Sequence, residues 1–161
     1  MFGAPKEMPP FQQAQRAVSC ARAMQHGLDD LNPKWAKRGL PALSQRIGIH
    51  QGTGVVGNFG PEKRSDYTCI GSAVNLASRI ETACEVGKVY VSQSIHELLP
   101  DETEEVGQFD LKGIEGKISL YQVVSSSRVK LCLPFDSFHS LRTPFDTTHG
   151  FAIRCAHGLR P

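Results

Sequence analysis

The sequence predicts an α+β sandwich, one sheet with helices on a face, and three observations carry it. Apolar residues recur at helical spacing over residues 11–31, a second helical stretch opens after Gly71, and apolar runs of strand length lie between and beyond them. The chain has 161 residues, 40% hydrophobic and 21% charged, which suits one soluble domain with a true core. The net charge of +2 is too small to point to nucleic acid or a membrane surface. Residues 125–161 hold five Lys/Arg against two Asp/Glu, so the positive excess sits at the C-terminal end. Five cysteines (Cys20, Cys69, Cys84, Cys132, Cys155) are odd in number and contain no C-x-x-C pair, which argues against a disulfide framework and a zinc ribbon. With no apolar run near ~18 residues and no leader pattern, a cytoplasmic location is expected and no membrane segment is present in the sequence.

Taken in order, Met1–Pro5 reads as the end of a buried strand, whose beginning would lie upstream of Met1. Ala14, Ala17, Val18, Ala21, Met24, Leu28 and Leu31 form one helical face, while Gln12, Gln15, Arg16, Arg22 and Gln25 keep to the other. That face packs on a core or takes a partner helix, and Asn32-Pro33 is expected to end it. Leu43 to Ile49 reads as a strand. The hexamer Gly52–Gly57 is a literal G-x-G-x-x-G, but a loop follows it, not the helix that a dinucleotide fingerprint requires. Its glycines are therefore expected to form a tight strand-turn-strand, with His50 a packed histidine near the strand end. None of the six histidines has metal-ligand spacing, so no metal residue is assigned.

Helix signals resume at Gly71, with Ser72 placed to cap. Ala73, Leu76, Ala77, Ile80 and Cys84 fall on one arc; Ser72, Asn75, Arg79 and Thr82 fall on the other. Asn75 and Arg79, four residues apart, thus project together from the polar arc, which reads by spacing as a solvated face or a functional one. Gly87–Ser92 is a short strand and Ser94–Leu99 a short helix. Glu102–Glu105 is a solvated acidic run, and Val106–Leu111 with Ile118–Val124 forms a terminal antiparallel pair. Beyond Ser125 no sustained periodicity remains, so 125–161 is read as an irregular tail of unknown role; a His/Cys metal site within it is a minor alternative.

Gly-Ile-His-Gln-Gly-Thr-Gly-Val-Val-Gly-Asn (48–58), Asp66–Glu81, Asp110-Leu-Lys-Gly113 and Tyr121-Gln-Val123 together resemble the class III nucleotidyl cyclases, the adenylate and guanylate cyclase family, especially its bacterial members. The resemblance covers residues 1–124. It implies a ferredoxin-like class III cyclase sandwich, here with an incomplete sheet, as the C-terminal two thirds of a catalytic domain. It further implies a phosphorus–oxygen lyase that converts ATP to 3′,5′-cyclic AMP and pyrophosphate in intracellular signalling. Within it Asn75 matches the asparagine that orients the ribose and Arg79 the arginine that stabilises the crowded phosphorus. Lys112 matches the lysine that meets the terminal phosphates, and Thr68 the base-selecting position, where threonine resembles bacterial adenylate cyclases.

The family uses two Mg²⁺ (or Mn²⁺) ions on two aspartates, which on this reading lie upstream of Met1 with the base-selecting lysine. None of Asp29, Asp30, Asp66, Asp101 or Asp110 has an equivalent context. The active site forms between two domains, so a second cyclase domain, in a homo- or heterodimer, is the expected partner beside ATP, with no nucleic acid. This chain alone is expected to be inactive. A catalytically silent nucleotide-binding partner that completes another chain's site, and a degenerate truncated product, are the alternatives.

Overall fold

The computed structural model describes residues 1–4, 6–61 and 66–124, and the backbone of 146–159. The elements run α1 (Pro10–Ala36), β1 (Leu43–Phe59), β2 (Asp66–Ile70), α2 (Ser72–Ala83), β3 (Val89–Ser92), α3 (Gln93–His96), a 3₁₀ turn (Pro100–Glu102), β4 (Thr103–Asp110), β5 (Lys117–Val123) and β6 (Asp146–Leu159). The sheet order is β2-β1-β3-β5-β4, and β6 pairs with β1 off that path. β1 and β3 are parallel, with Ile47, Gly48 and Ile49 opposite Val89, Tyr90 and Val91; the β1–β2, β3–β5 and β4–β5 pairs are antiparallel. The α+β class and the terminal β4–β5 pair are as expected.

The helices, however, lie on both faces of the sheet, not on one. Ile47, Ile49, Val89 and Val91 pack with Ala14, Ala17, Val18 and Ala21 of α1. Their neighbours point the other way, as pleating requires: a Cβ on Gly48 would meet α2 at Ala77 and Glu81, and Tyr90 packs with Ile80. Each fully buried Val, Leu or Ile contributes roughly 1.5–3 kcal/mol, so both apolar layers hold the sheet.

Four local expectations change. Residues 1–4 are not in a strand; Gly3, at φ 91°, turns the chain beside Gln13. This leaves Phe2 against the α1 core. Pro33 does not end α1, which continues to Ala36. Proline removes a single i→i−4 donor, and the last turn still closes with Lys37 N–H donating to the Pro33 carbonyl. Asn32 meanwhile bonds both backbone groups of Leu43 at 2.9 Å, tying the helix end to β1. Arg22, assigned to the outer face, is buried: it donates to Glu102 at 2.5 Å and to the Val124 carbonyl at 2.9 Å. The glycine hexamer is not a turn. β1 runs unbroken through it for 17 residues, and none of Gly52, Gly54 or Gly57 has positive φ. These glycines serve close approach instead, since a Cβ at Gly52 would strike Ala73 and one at Gly54 the Cys69 sulfur.

Of the stretch 125–161 read as irregular, the structure describes only the backbone of 146–159. It runs antiparallel to β1 from Leu43↔Leu159 to Val56↔Asp146. Because Ile47 also pairs with Val89 and Val55 with Ile70, β6 lies on the other edge of β1. An extended segment there meets the strand's unpaired N–H and C=O groups. Among the described residues no helix is long and apolar enough to cross a membrane.

Candidate active site

α2 is the element that presents the site, and its periodicity is as predicted. Ala73, Ala77, Ile80 and Cys84 are buried, Leu76 is partly so, and Ser72, Asn75, Arg79 and Thr82 are exposed. Ser72 is the first helical residue, however, and makes no cap; Gly71 precedes it without a side-chain hydrogen bond. A Cβ on Gly71 would stand 3.2 Å from the Gly54 Cα, so the two glycines let the helix start close against β1. At the other end, Arg46 Nε donates to Glu81 Oε1 at 2.6 Å, fixing α2 to β1 through a carboxylate only 5% exposed.

A cleft of about 700 Å³ opens along this helix. Asn75, Arg79 and Lys112 line it together, with His50, Gly52 and Thr53 of β1, Ser72 at the helix start, and Gly113 and Ile114 beyond β4. Lys112 arrives from the β4–β5 connection. Leu111 and Ile114 anchor that connection in the core beneath α2, the Ile114 N–H bonds the Leu111 carbonyl at 3.0 Å, and Gly113 takes φ 79° between them. Three of the four residues singled out from the sequence thus converge. Thr68 does not line the cleft: it is exposed on β2, opposite Gly57.

Among the described residues, the cleft wall has two side-chain cations, Arg79 and Lys112, and no carboxylate. It therefore suits an anion, and the guanidinium can donate two parallel bonds to phosphoryl oxygens. The Asn75 amide offers both a donor and an acceptor. Among the described residues no group of three or more His, Cys, Asp or Glu is placed to hold a metal ion. The described residues that line the cleft include no Asp or Glu, so they do not fit the magnesium pair implied by the resemblance.

Sequence reasoning placed His50 as a packed histidine; it is half-buried and lines the cleft. Its one sequence signal was adjacency to Gly52, which leaves the ring uncovered. Burial disfavours the imidazolium and lowers its pKa from the ordinary 6.5. The unfolded chain then takes up a proton at His50 before the folded chain does. This contribution to stability is complete above about 6.5 and is lost as pH falls through the lowered folded value. Unfolding free energies measured from neutral to mildly acidic pH are expected to fall more steeply in the wild type than in His50→Gln; equal slopes would contradict it. The Cys84 thiol is a less reactive candidate. Cys20, Cys69 and Cys84 are unpaired, and burial pushes the Cys84 thiol up to about 11.

Comparison with known proteins finds relatives of this sequence and fold. The family described as "Adenylate and Guanylate cyclase catalytic domain" matches residues 2–125. Adenylate cyclase 1 of Rhizobium meliloti is 44% identical over 68 residues, 42% of this chain and 10% of that protein. The adenylate cyclase of Anabaena cylindrica is 37% identical over 123 residues, 66% of this chain and 24% of that protein. The chain therefore spans a quarter or less of the length of these two relatives. Among solved structures, the adenylyl cyclase CyaB from P. aeruginosa superposes with a TM-score of 0.74 at 39% identity, covering 79% of this chain and 66% of that one. The guanylyl cyclase Cya2 superposes at 0.67 and 36% identity, covering 76% and 62%.

Proposed function

This chain belongs to the adenylate and guanylate cyclase catalytic domain family, and from that premise we propose that it is part of an adenylate cyclase that forms 3′,5′-cyclic AMP and pyrophosphate from ATP. The observation that carries the proposal is the convergence of Asn75, Arg79 and Lys112 on one cleft from two separate elements. In this reading Lys112 meets the terminal phosphates, Asn75 orients the ribose, and Arg79 offsets the charge that grows on the α-phosphoryl group as the 3′-hydroxyl attacks. The protein's contribution is then positioning and fixed charge, not covalent catalysis. The preference for ATP rests on the resemblance at Thr68 and on the adenylate cyclases among the relatives. Because Thr68 stands outside the cleft, its role as a base selector calls for a second cyclase domain that closes over β2. That domain would also bring the divalent-cation ligands that the cleft lacks.

The runner-up is a nucleotide-binding partner that has no turnover of its own and completes another chain's site. It draws on the same cleft and on the absence of a metal-holding cluster among the described residues. Equilibrium titration separates both readings from a domain that does not use nucleotide. The chain is expected to bind ATP, and Lys112→Ala to weaken binding roughly tenfold or more, since a hydrogen bond to a charged group contributes about 1.5–3 kcal/mol. Absence of ATP affinity, or wild-type affinity in both Lys112→Ala and Arg79→Ala, would remove the nucleotide reading. Cyclic AMP production on adding a second cyclase domain, and none from the chain alone, is the result expected of a half-site.

A further inference from the structure

His50 belongs to a hydrogen-bonded chain that reaches the cleft from behind. His50 Nδ1 lies 2.9 Å from Ser92 Oγ, Ser92 Oγ lies 2.9 Å from Ser94 Oγ, and Ser94 Oγ lies 3.5 Å from the Gln51 carbonyl oxygen. A hydroxyl has one proton to give and a carbonyl has none. Ser94 must therefore donate to Gln51, which leaves Ser92 to donate to Ser94. The Ser92 proton being spent, the last contact forms only if His50 Nδ1–H donates to Ser92. A single arrangement satisfies all three contacts, and in it the neutral ring has its proton on Nδ1.

The other nitrogen is then bare. Nε2 makes no hydrogen bond among the described residues, and a Cβ on Gly52 would stand 3.1 Å from it. With glycine at 52, that edge of the ring is open to the cleft that both residues line. Such a nitrogen accepts and cannot donate. Ionised phosphates, which are acceptors too, do not pair with it. A ligand hydroxyl does.

We propose that the Gln51–Ser94–Ser92 relay fixes His50 as its Nδ1–H tautomer, so that Nε2 accepts a hydrogen bond from a ribose hydroxyl of the nucleotide in the cleft. The choice of ribose rests on the nucleotide reading above: Arg79 and Lys112 are the groups suited to the phosphates, and His50 lies on β1 facing the helix that bears Asn75. His50 is thus a ligand-orienting residue that lines the cleft from β1, an element separate from those that carry the two cations. Burial, which disfavours the imidazolium, keeps the ring in the neutral form that the arrangement needs.

The test is ¹⁵N NMR of the whole chain with labelled histidine, which distinguishes a protonated from a bare ring nitrogen. Without ligand, His50 is expected as the Nδ1–H tautomer. Ser94→Ala frees the Ser92 proton to turn toward Nδ1, so Nε2–H should then dominate; Ser92→Ala should also lose the wild-type tautomer, and retention of the remaining resonances shows that each variant folds. Adding ATP should shift the Nε2 resonance, and 2′,3′-dideoxy-ATP should shift it far less. An Nε2–H or charged His50 in the wild type overturns the relay. A tautomer unchanged in Ser94→Ala does the same. If ATP moves the Asn75 and Arg79 amides but not Nε2, or if both nucleotides move it equally, the contact with a ribose hydroxyl is wrong while nucleotide binding stands. If ATP moves no cleft resonance, the nucleotide reading fails and the contact with it, whereas the ligand-free tautomer still reports on the relay by itself.

Discussion

Replacing Arg79 by alanine is expected to lower cyclic AMP formation at this cleft on the order of 10²–10³-fold, the loss seen when a donor aimed at developing charge is removed. The measurement needs a site that depends on this chain alone for that donor. A full-length class III cyclase whose asparagine and arginine counterparts of Asn75 and Arg79 are replaced, with its metal carboxylates intact, provides one. Its own dimer has metal sites and no transition-state donors. Pairing it with this chain would join those carboxylates to Asn75 and Arg79, which share an exposed arc of α2 and one cleft. The gain should be visible even from a small heterodimer population, because the background lacks the guanidinium entirely. Arg79→Lys is expected to recover little of it, since a point-charge ammonium does not reproduce the planar two-bond geometry. Association shown by pull-down with cyclic AMP still at background would reject the half-site reading, and so would full activity with Arg79→Ala.

Gly48→Val is expected to be the most damaging single substitution for the fold. A Cβ at Gly48 would lie 2.4 Å from the Glu81 backbone nitrogen and 2.7 Å from the Ala77 carbonyl oxygen and the Glu81 Cα. All three atoms belong to the backbone of α2, so no rotamer change relieves the contact. Either the helix lifts from β1 or the strand bends. Overpacking typically costs about 1–3 kcal/mol, and with only backbone to displace we expect the upper end or beyond. Lifting α2 would also draw Glu81 from Arg46 and carry Asn75 and Arg79 away from the Lys112 connection. Stability and nucleotide affinity should therefore fall together. Gly27→Ala is the matching control. It lies inside α1 with nothing within 4 Å of an added Cβ, and alanine there should stabilise by roughly 0.5–1 kcal/mol. Equilibrium urea unfolding of both variants decides it, and a Gly48→Val loss below about 1 kcal/mol would show that α2 yields more easily than close packing implies.

Periodicity made α2 legible in the sequence. The buried arc Ala73, Ala77, Ile80 and Cys84 and the exposed pair Asn75 and Arg79 follow from 3.6 residues per turn alone. The antiparallel β4–β5 pair was legible for a similar reason, since two apolar runs joined by a Gly-containing connection leave few other arrangements. The motifs over 48–81 and 110–123 sufficed to indicate the family. What the sequence by itself could not determine was what each residue meets across the sheet. The Gly52–Gly57 hexamer reads locally as a turn, yet β1 passes straight through it because Ala73 and the Cys69 side chain press against its open positions. Arg22 reads as surface by its place on the helix, yet it is buried because Glu102, 80 positions away, receives it. His50 reads as a packed histidine, and only Ser92, 42 positions on, orients its ring so that one edge is left to the cleft. Thr68 shows the opposite case: the family resemblance suggested a place in the site, and the β2 register leaves it exposed outside the cleft. Local periodicity determines which way a side chain leaves its own element. The partner it finds there is determined by tertiary packing, because that partner comes from a distant part of the chain.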